Sequence, residues 1–182
     1  MKRLFSKVGV VGFIVTLVTI SFCFTPLAAE KKKFSMTTKR EKWVSENLLE
    51  AYGDRSQIRM DFQRYVIKQG VHLDIIPDST EPDLIGAEQT VYWQGDHALG
   101  YPPNERGITI TRTKEGHCLY SKWESTIKGQ KWERANWEAE SEIRFQFIGG
   151  TGKYSDLRGS GTCRGKRTPK EDRAKCEGEW EY

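Results

Sequence analysis

The stretch Phe145-Gln146-Phe147-Ile148-Gly149-Gly150-Thr151-Gly152-Lys153-Tyr154-Ser155-Asp156-Leu157-Arg158-Gly159-Ser160-Gly161-Thr162-Cys163 decides the fold. It opens on an alternation of apolar and polar residues, passes through glycines at 149, 150 and 152, and resumes with glycines at 159 and 161. That order reads as strand, turn, strand, because the first glycines suit backbone angles that side chains disfavour and the second pair recurs at strand period. Gly149 to Lys153 is not a phosphate loop: Phe147 stands where the leading glycine belongs and Tyr154 where a Ser or Thr must follow the lysine. The dinucleotide fingerprint fails as well, with Ser155 at its third glycine.

The alternation extends in both directions. Trp137, Ala139, Ser141, Ile143, Phe145 and Phe147 share one face of a strand, opposite Glu138, Glu140, Glu142, Arg144 and Gln146. Cys176, Gly178, Trp180 and Tyr182 oppose Glu177, Glu179 and Glu181 in the same way. One face is dry and the other wet, which is the pattern of an antiparallel sheet with a solvated side. Upstream, Ile58-Met60-Phe62, Val71 to Ile76, Thr90 to Gln94, Ile108 to Thr113 and His117 to Ile127 read as further strands. Turns are expected at Lys114-Glu115-Gly116 and Lys128-Gly129-Gln130, with polar loops at Pro77 to Gln89 and Leu99 to Gly107. With no internal repeat visible, many short strands predict a barrel or a sandwich.

The run Gly149-Gly150-Thr151-Gly152-Lys153-Tyr154 followed by Leu157-Arg158-Gly159-Ser160-Gly161 resembles the hairpin near the end of the allene oxide cyclase-like barrel proteins, which include the dirigent proteins; Asp156 departs from the small residue common there. The resemblance implies an all-β fold, a single closed antiparallel barrel of about eight strands with an apolar lumen. It also raises a cyclase or a guide for radical coupling as activities, without matching positions for their polar groups.

At the other end of the chain, Lys2, Arg3 and Lys7 precede an uncharged apolar run from Val8 to Phe24 and then Pro26-Leu27-Ala28-Ala29. Residues 1–29 read as a secretory signal peptide, and the alternative, an uncleaved membrane anchor, stays open. Removing its three basic residues from the 29 in the chain leaves 26 against 25 acidic ones. A near-neutral mature chain gives no electrostatic case for nucleic acid. Residues 30–56 are expected to form an N-terminal segment with a short helix, since Thr38-Lys39-Arg40-Glu41 has capping-box spacing and Val44, Leu48, Ala51 and Tyr52 recur at helical spacing before Gly53. Residues 57–182 are then the barrel domain.

An exported chain is oxidised in a periplasmic or secreted setting. Cys163 and Cys176 fall on the inward face of consecutive strands and are expected to form a disulfide, leaving Cys118 as a small buried side chain.

His72, His97 and His117 are scattered, no serine stands in a nucleophile elbow, and no metal spacing occurs, so neither a catalytic residue, a metal nor a cofactor is predicted. The favoured reading is a non-catalytic barrel that binds a small apolar or aromatic ligand through Trp123, Trp137, Phe145, Phe147 and Trp180, with Gly149, Gly150, Gly152, Gly159 and Gly161 as structural turn and strand glycines. Gly159, Gly161 and Gly178 either make room for the rings or leave a cavity. A cyclase or isomerase using the same lumen, and a filled barrel serving as an interaction module, are the alternatives. The oligomeric state is open.

Overall fold

The computed structural model describes residues 31–52, 65–98, 104–133, 136–168 and 170–181; side chains are not described for 48–52, 65–66, 97–98, 129–133 and 136–137. Eight strands follow one another: β1 Lys32–Tyr52, β2 Tyr65–Ser79, β3 Glu88–Ala98, β4 Asn104–Arg112, β5 Cys118–Glu133, β6 Asn136–Gly150, β7 Arg158–Arg167 and β8 Asp172–Glu181. Each pairs antiparallel with its successor, and β8 returns to β1. The all-β class expected from the alternation therefore forms, and of the barrel and sandwich that the alternation left open it is the closed antiparallel barrel, as the resemblance implied. Closure leaves no sheet edge along the fully paired belt, which removes the usual liability of an exposed strand.

The expected N-terminal helix does not form. Residues 32–52 are strand β1, hydrogen-bonded to β2 from Met36 to Tyr52, and they belong to the barrel rather than to a separate segment. Register shifts at Thr37/Lys39, Arg40/Lys42, Trp43/Ser45 and Leu48/Glu50 explain the misleading spacing. Each bulge inserts a residue and breaks the period of two, so apolar positions drift toward the helical spacing while the ladder with β2 overrides local propensity. Bulging also corrects the turn expected at Lys128-Gly129-Gln130: β5 runs on to Glu133, opposite Asn136, with the irregularity between Lys128 and Lys131. The strand expected around Ile58 to Phe62 and the signal segment at 1–29, with Cys23, lie outside the described residues.

Gly149 to Leu157 forms the predicted turn. Gly149 and Gly152 adopt positive φ, and Gly152–Tyr154 makes a single 3-10 turn. The β2–β3 loop does the same at Pro82–Leu84. The two loops match bond for bond: Leu84, Ile85 and Ala87 donate backbone N–H groups to Glu81, Pro82 and Leu84, as Tyr154, Ser155 and Leu157 do to Thr151, Gly152 and Tyr154. Every partner is displaced by 70 residues, so the two halves of the barrel, β1–β4 and β5–β8, repeat a loop that no sequence match reveals. Lys153 joins the loops by hydrogen-bonding the Asp83 carboxylate, which holds Asp83 below the ordinary carboxylate range and Lys153 above its own.

These loops fold over one end of the barrel. Leu84 and Tyr154 drop inward from them and pack with Ile76, Leu119, Leu157 and Trp180 into a closed apolar floor. Above it Phe34 stacks on Trp180 at 4.7 Å between centroids, with Phe147 5.6 Å from the same indole.

The aromatic rings fit because glycines face them across the ladders. Phe34 pairs with Gly178, Phe145 with Gly161, Phe147 and Trp180 with Gly159, Trp93 with Gly70, and Trp123 with Gly107. A Cβ on Gly161 would stand 2.5 Å from Phe145 Cζ, and one on Gly107 2.6 Å from Trp123 Cζ2. The missing side chains thus house rings rather than leaving an open space, which resolves the two outcomes expected for Gly159, Gly161 and Gly178.

Candidate functional site

Inward positions on each strand alternate with charged outward ones, and ascending from the floor the inward residues change character. Next above Phe145 and Phe147 come Met36, Val91, Trp123, Ile143 and the disulfide; above those lies a girdle of charged groups. The disulfide joins Cys163 and Cys176, directly opposed on β7 and β8 with Cα atoms 3.9 Å apart, as the shared inward face predicts. Among the described residues Cys118 is the free thiol; it is partly exposed, not fully buried as expected, because its position on β5 alternates with the inward Leu119.

The girdle consists of Arg40, His72, Asp74, Glu105, Arg167 and Asp172. Their placement follows from register: Arg40 is opposite Asp74 on β1 and β2, and Arg167 opposite Asp172 on β7 and β8. Arg40 Nη1 reaches Asp172 Oδ2 at 2.6 Å, and Arg167 Nη1 donates to Glu105 Oε2 at 2.8 Å across the lumen. Arg167 Nε lies 3.5 Å from Asp172, which the two guanidiniums share. Arg40 Nη2 meets His72 Nε2 at 3.1 Å; a guanidinium only donates, so Nε2 accepts and the imidazole proton belongs on Nδ1. Asp74 Oδ1 stands 3.4 Å from the same Nε2, farther than Arg40 does, and it has no hydrogen-bond partner among the described residues. Neither does His72 Nδ1.

Burial governs the electrostatics here. It pulls Arg40 below the ordinary arginine range against the pull of Asp172 and Asp74. Burial acts the same way on Arg167 but is outweighed by Glu105 and Asp172, so that group ends above its ordinary value. Asp172 is pushed up by burial, with Arg167 and Arg40 opposing. A charge taken out of water costs several kcal/mol unless neighbours compensate it, and these six side chains compensate one another.

Between girdle and floor a cavity of about 90 Å³ remains. At about 30 Å³ per water that is room for a few waters or a compact molecule, well under the ~300 Å³ at which drug-sized ligand sites begin. Its apolar wall includes Trp123, Phe145 and Phe147; its polar wall includes Arg40, His72 and Asp74. Gln89 donates to Thr111 within it at 3.0 Å.

Of the five aromatic residues expected to bind a ligand, Trp123, Phe145 and Phe147 thus line one cavity. Trp180 is not in its wall: at 1 % exposure it belongs to the floor. Trp137 has its backbone in β6, and its side chain lies outside the described residues.

Sequence reasoning missed the girdle altogether, and with it Trp43. Pairing of β1 with β8 ends at Lys39 and Arg173, so beyond that point this flank of β1 carries no ladder among the described residues. Trp43 stands at that gap, 50 % exposed, 5.2 Å from the His72 ring and 5.8 Å from Trp93, with the Arg40 guanidinium 4.2 Å from its centroid. It caps the polar side of the lumen. The contacts Arg40–His72, Arg167–Glu105 and Arg40–Asp172 join residues 32, 62 and 132 apart and leave no local signal; only the isolated position of Asp74 between Leu73 and Ile75 hinted at one.

What this arrangement can do is hold and orient a small molecule between an apolar wall and fixed hydrogen-bonding groups. It has no metal cluster of His, Cys, Asp and Glu among the described residues. No protein-family model, no curated protein and no solved structure matches this chain.

Proposed function

We propose that this protein is an exported, non-catalytic binding barrel that takes a small, partly apolar ligand into its lumen. The observation that carries the reading is the 90 Å³ cavity set between Trp123, Phe145 and Phe147 on one side and the unpartnered His72 Nδ1 on the other. A core built only for stability closes such a gap, because each void forfeits dispersion contacts and each unsatisfied buried polar atom costs about 1–3 kcal/mol. The size of the cavity narrows the ligand to a compact molecule and argues against a long acyl chain. Export is supported by the apolar leader at residues 8–24 and by the disulfide, which persists in oxidising compartments. Likeness of the Gly149–Gly161 hairpin to the allene oxide cyclase-like group supports the same reading at the level of architecture, and fold alone does not carry activity across.

Native mass spectrometry of the protein from its own source tests this directly. A bound small molecule released on denaturation, together with tryptophan fluorescence that responds to adding it back and no longer responds in Trp123→Phe, is expected. Turnover of that molecule would replace binding by catalysis. An unliganded barrel indifferent to every compact solute would leave the interaction module.

A further inference from the structure

The polar wall of the cavity holds one imidazole, a group that changes charge between about pH 5 and pH 8, and its two nearest neighbours respond to that change in opposite senses. We propose that His72 is a pH-operated latch on the lumen: a proton taken at Nε2 exchanges its partner Arg40 for Asp74 and draws Arg40, with Trp43 stacked on it, away from the mouth of the cavity. As regulation of the lumen this rests on the binding reading above; as an exchange of partners it is a property of the chain without ligand.

The exchange follows from which nitrogen is left to titrate. His72 is buried, and because Nε2 accepts from Arg40 Nη2 at 3.1 Å its ring proton belongs on Nδ1. A second proton therefore enters at Nε2, where it turns an acceptor into a donor. The contact with Arg40 then sets two cationic N–H groups against each other. The contact of the same nitrogen with Asp74 Oδ1, at 3.4 Å, becomes a charge-assisted hydrogen bond. Repulsion on one side and attraction on the other act on a single atom, so the buried ring changes partner without a large movement.

The charged groups around the ring, among the described residues, all enter this balance. Asp74 on β2 attracts the new charge and Arg40 on β1 repels it; Asp172 on β8 is held by Arg40, and Arg167 on β7 joins Asp172 to Glu105 on β4. With His72 neutral, two guanidiniums face three carboxylates, and a protonated imidazole makes the count even. Asp172, pushed up by burial, competes for the same proton, so the proton must be located at the imidazole itself.

Arg40 has a second anchor to retreat to, since its Nη1 already lies 2.6 Å from Asp172 Oδ2. Trp43 is the direct cross-strand partner of His72 and carries the Arg40 guanidinium 4.2 Å from its ring centroid. Its ring is half exposed, and beyond Lys39 no ladder with β8 restrains this flank of β1 among the described residues. The ring that caps the polar side of the lumen is therefore placed to follow the guanidinium.

The test titrates the full chain, carrying isotope-labelled histidine and fluorotryptophan and no added ligand, from about pH 8 to about pH 5, the imidazole range. Loss of signals in His72→Gln and Trp43→Phe assigns the two resonances. His72 is expected to start with its proton on Nδ1 and to gain the second at Nε2, while the Trp43 fluorine resonance moves with the same midpoint. The methyl groups of Val91, buried in the cavity wall, are expected to be broadened several-fold more by dissolved oxygen at the acid end. His72→Gln is expected to abolish the Trp43 and Val91 responses, and Asp74→Asn to move the shared midpoint to lower pH. If near-UV circular dichroism finds a variant unfolded, the wild-type titration decides alone. A starting proton on Nε2, a His72 that stays neutral throughout, or a Trp43 or Val91 indifferent to its protonation overturns the latch. A latch that operates in a chain whose native mass spectrum shows an unliganded barrel, indifferent to every compact solute, overturns the lumen-binding reading and leaves the partner exchange standing.

Discussion

At the scale of the residue, the lumen is governed by what is absent at glycine and by what burial does to Asp172. A Cβ at Gly161 would lie 2.3 Å from the Glu177 carbonyl oxygen and 2.5 Å from Phe145 Cζ, and neither neighbour is a flexible chain end. Gly161→Ala is therefore expected to destabilise the barrel by about 1–3 kcal/mol, the usual cost of overpacking, read as a lowered denaturant midpoint at unchanged slope. Asp172 gives a pH signature. Because burial raises its folded value above the ordinary carboxylate value, the folded state keeps its proton at pH values where the unfolded chain has released it. Its contribution to stability is thus full below about pH 4, near the unfolded carboxylate value, and is lost as pH rises through the folded one. The stability of the wild type relative to Asp172→Asn is expected to decline as pH rises from 4 toward neutrality in urea titrations; a difference that grows over that interval would refute the assignment.

At the scale of the element, β7 and β8 form the hairpin held covalently. The Cys163–Cys176 bridge spans a sequence separation of 13 residues, and closing a loop of that size contributes about 3 kcal/mol in the chain-entropy account. Reduction, or the paired Cys163→Ala and Cys176→Ala change, is expected to lower stability by that order, and peptide mapping without reductant is expected to recover this pair with Cys118 free. The bridge also bears on the lumen, because both sulfur-bearing side chains line the cavity and Asp172 and Arg167 lie on the same two strands. Loosening this hairpin is expected to weaken ligand binding as well as stability. β1 teaches the complementary lesson. Arg40 follows Phe34, Met36 and Thr38 at strand period onto the inward face, and Trp43 stands at the gap beyond the last β8 pair, so this irregular strand contributes Arg40 to the polar wall.

At the scale of the whole molecule, the barrel is divided between a floor that gives stability and a cavity above it. Trp180 is fully buried against Phe34, Phe147 and Tyr154, and Trp180→Ala is expected to cost about 3–5 kcal/mol, detected as a large fall in melting temperature. Trp123→Phe, on the cavity wall, is expected to alter ligand response with a smaller loss of stability. If the two variants exchanged phenotypes, the division between floor and site would be wrong.

By itself the sequence determined the all-β class, the Gly149–Leu157 turn, the inward face of β6 and β8, and the Cys163–Cys176 pair. These are legible because strand period and turn chemistry are local: a residue two positions on faces the same way, and a glycine at positive φ marks its own turn. The helix expected at residues 38–52 failed for the same reason, since bulges imposed by the ladder with β2 disguised the period. Only the tertiary structure decided that the inward glycines are filled by rings, that the loops at Pro82–Leu84 and Gly152–Tyr154 repeat one another, and that Arg40, His72, Asp74, Glu105, Arg167 and Asp172 meet in one girdle. Closing a barrel brings the first strand against the last, so groups from opposite ends of the chain become neighbours. Their compensation depends on distances of a few ångströms that no spacing along the chain encodes.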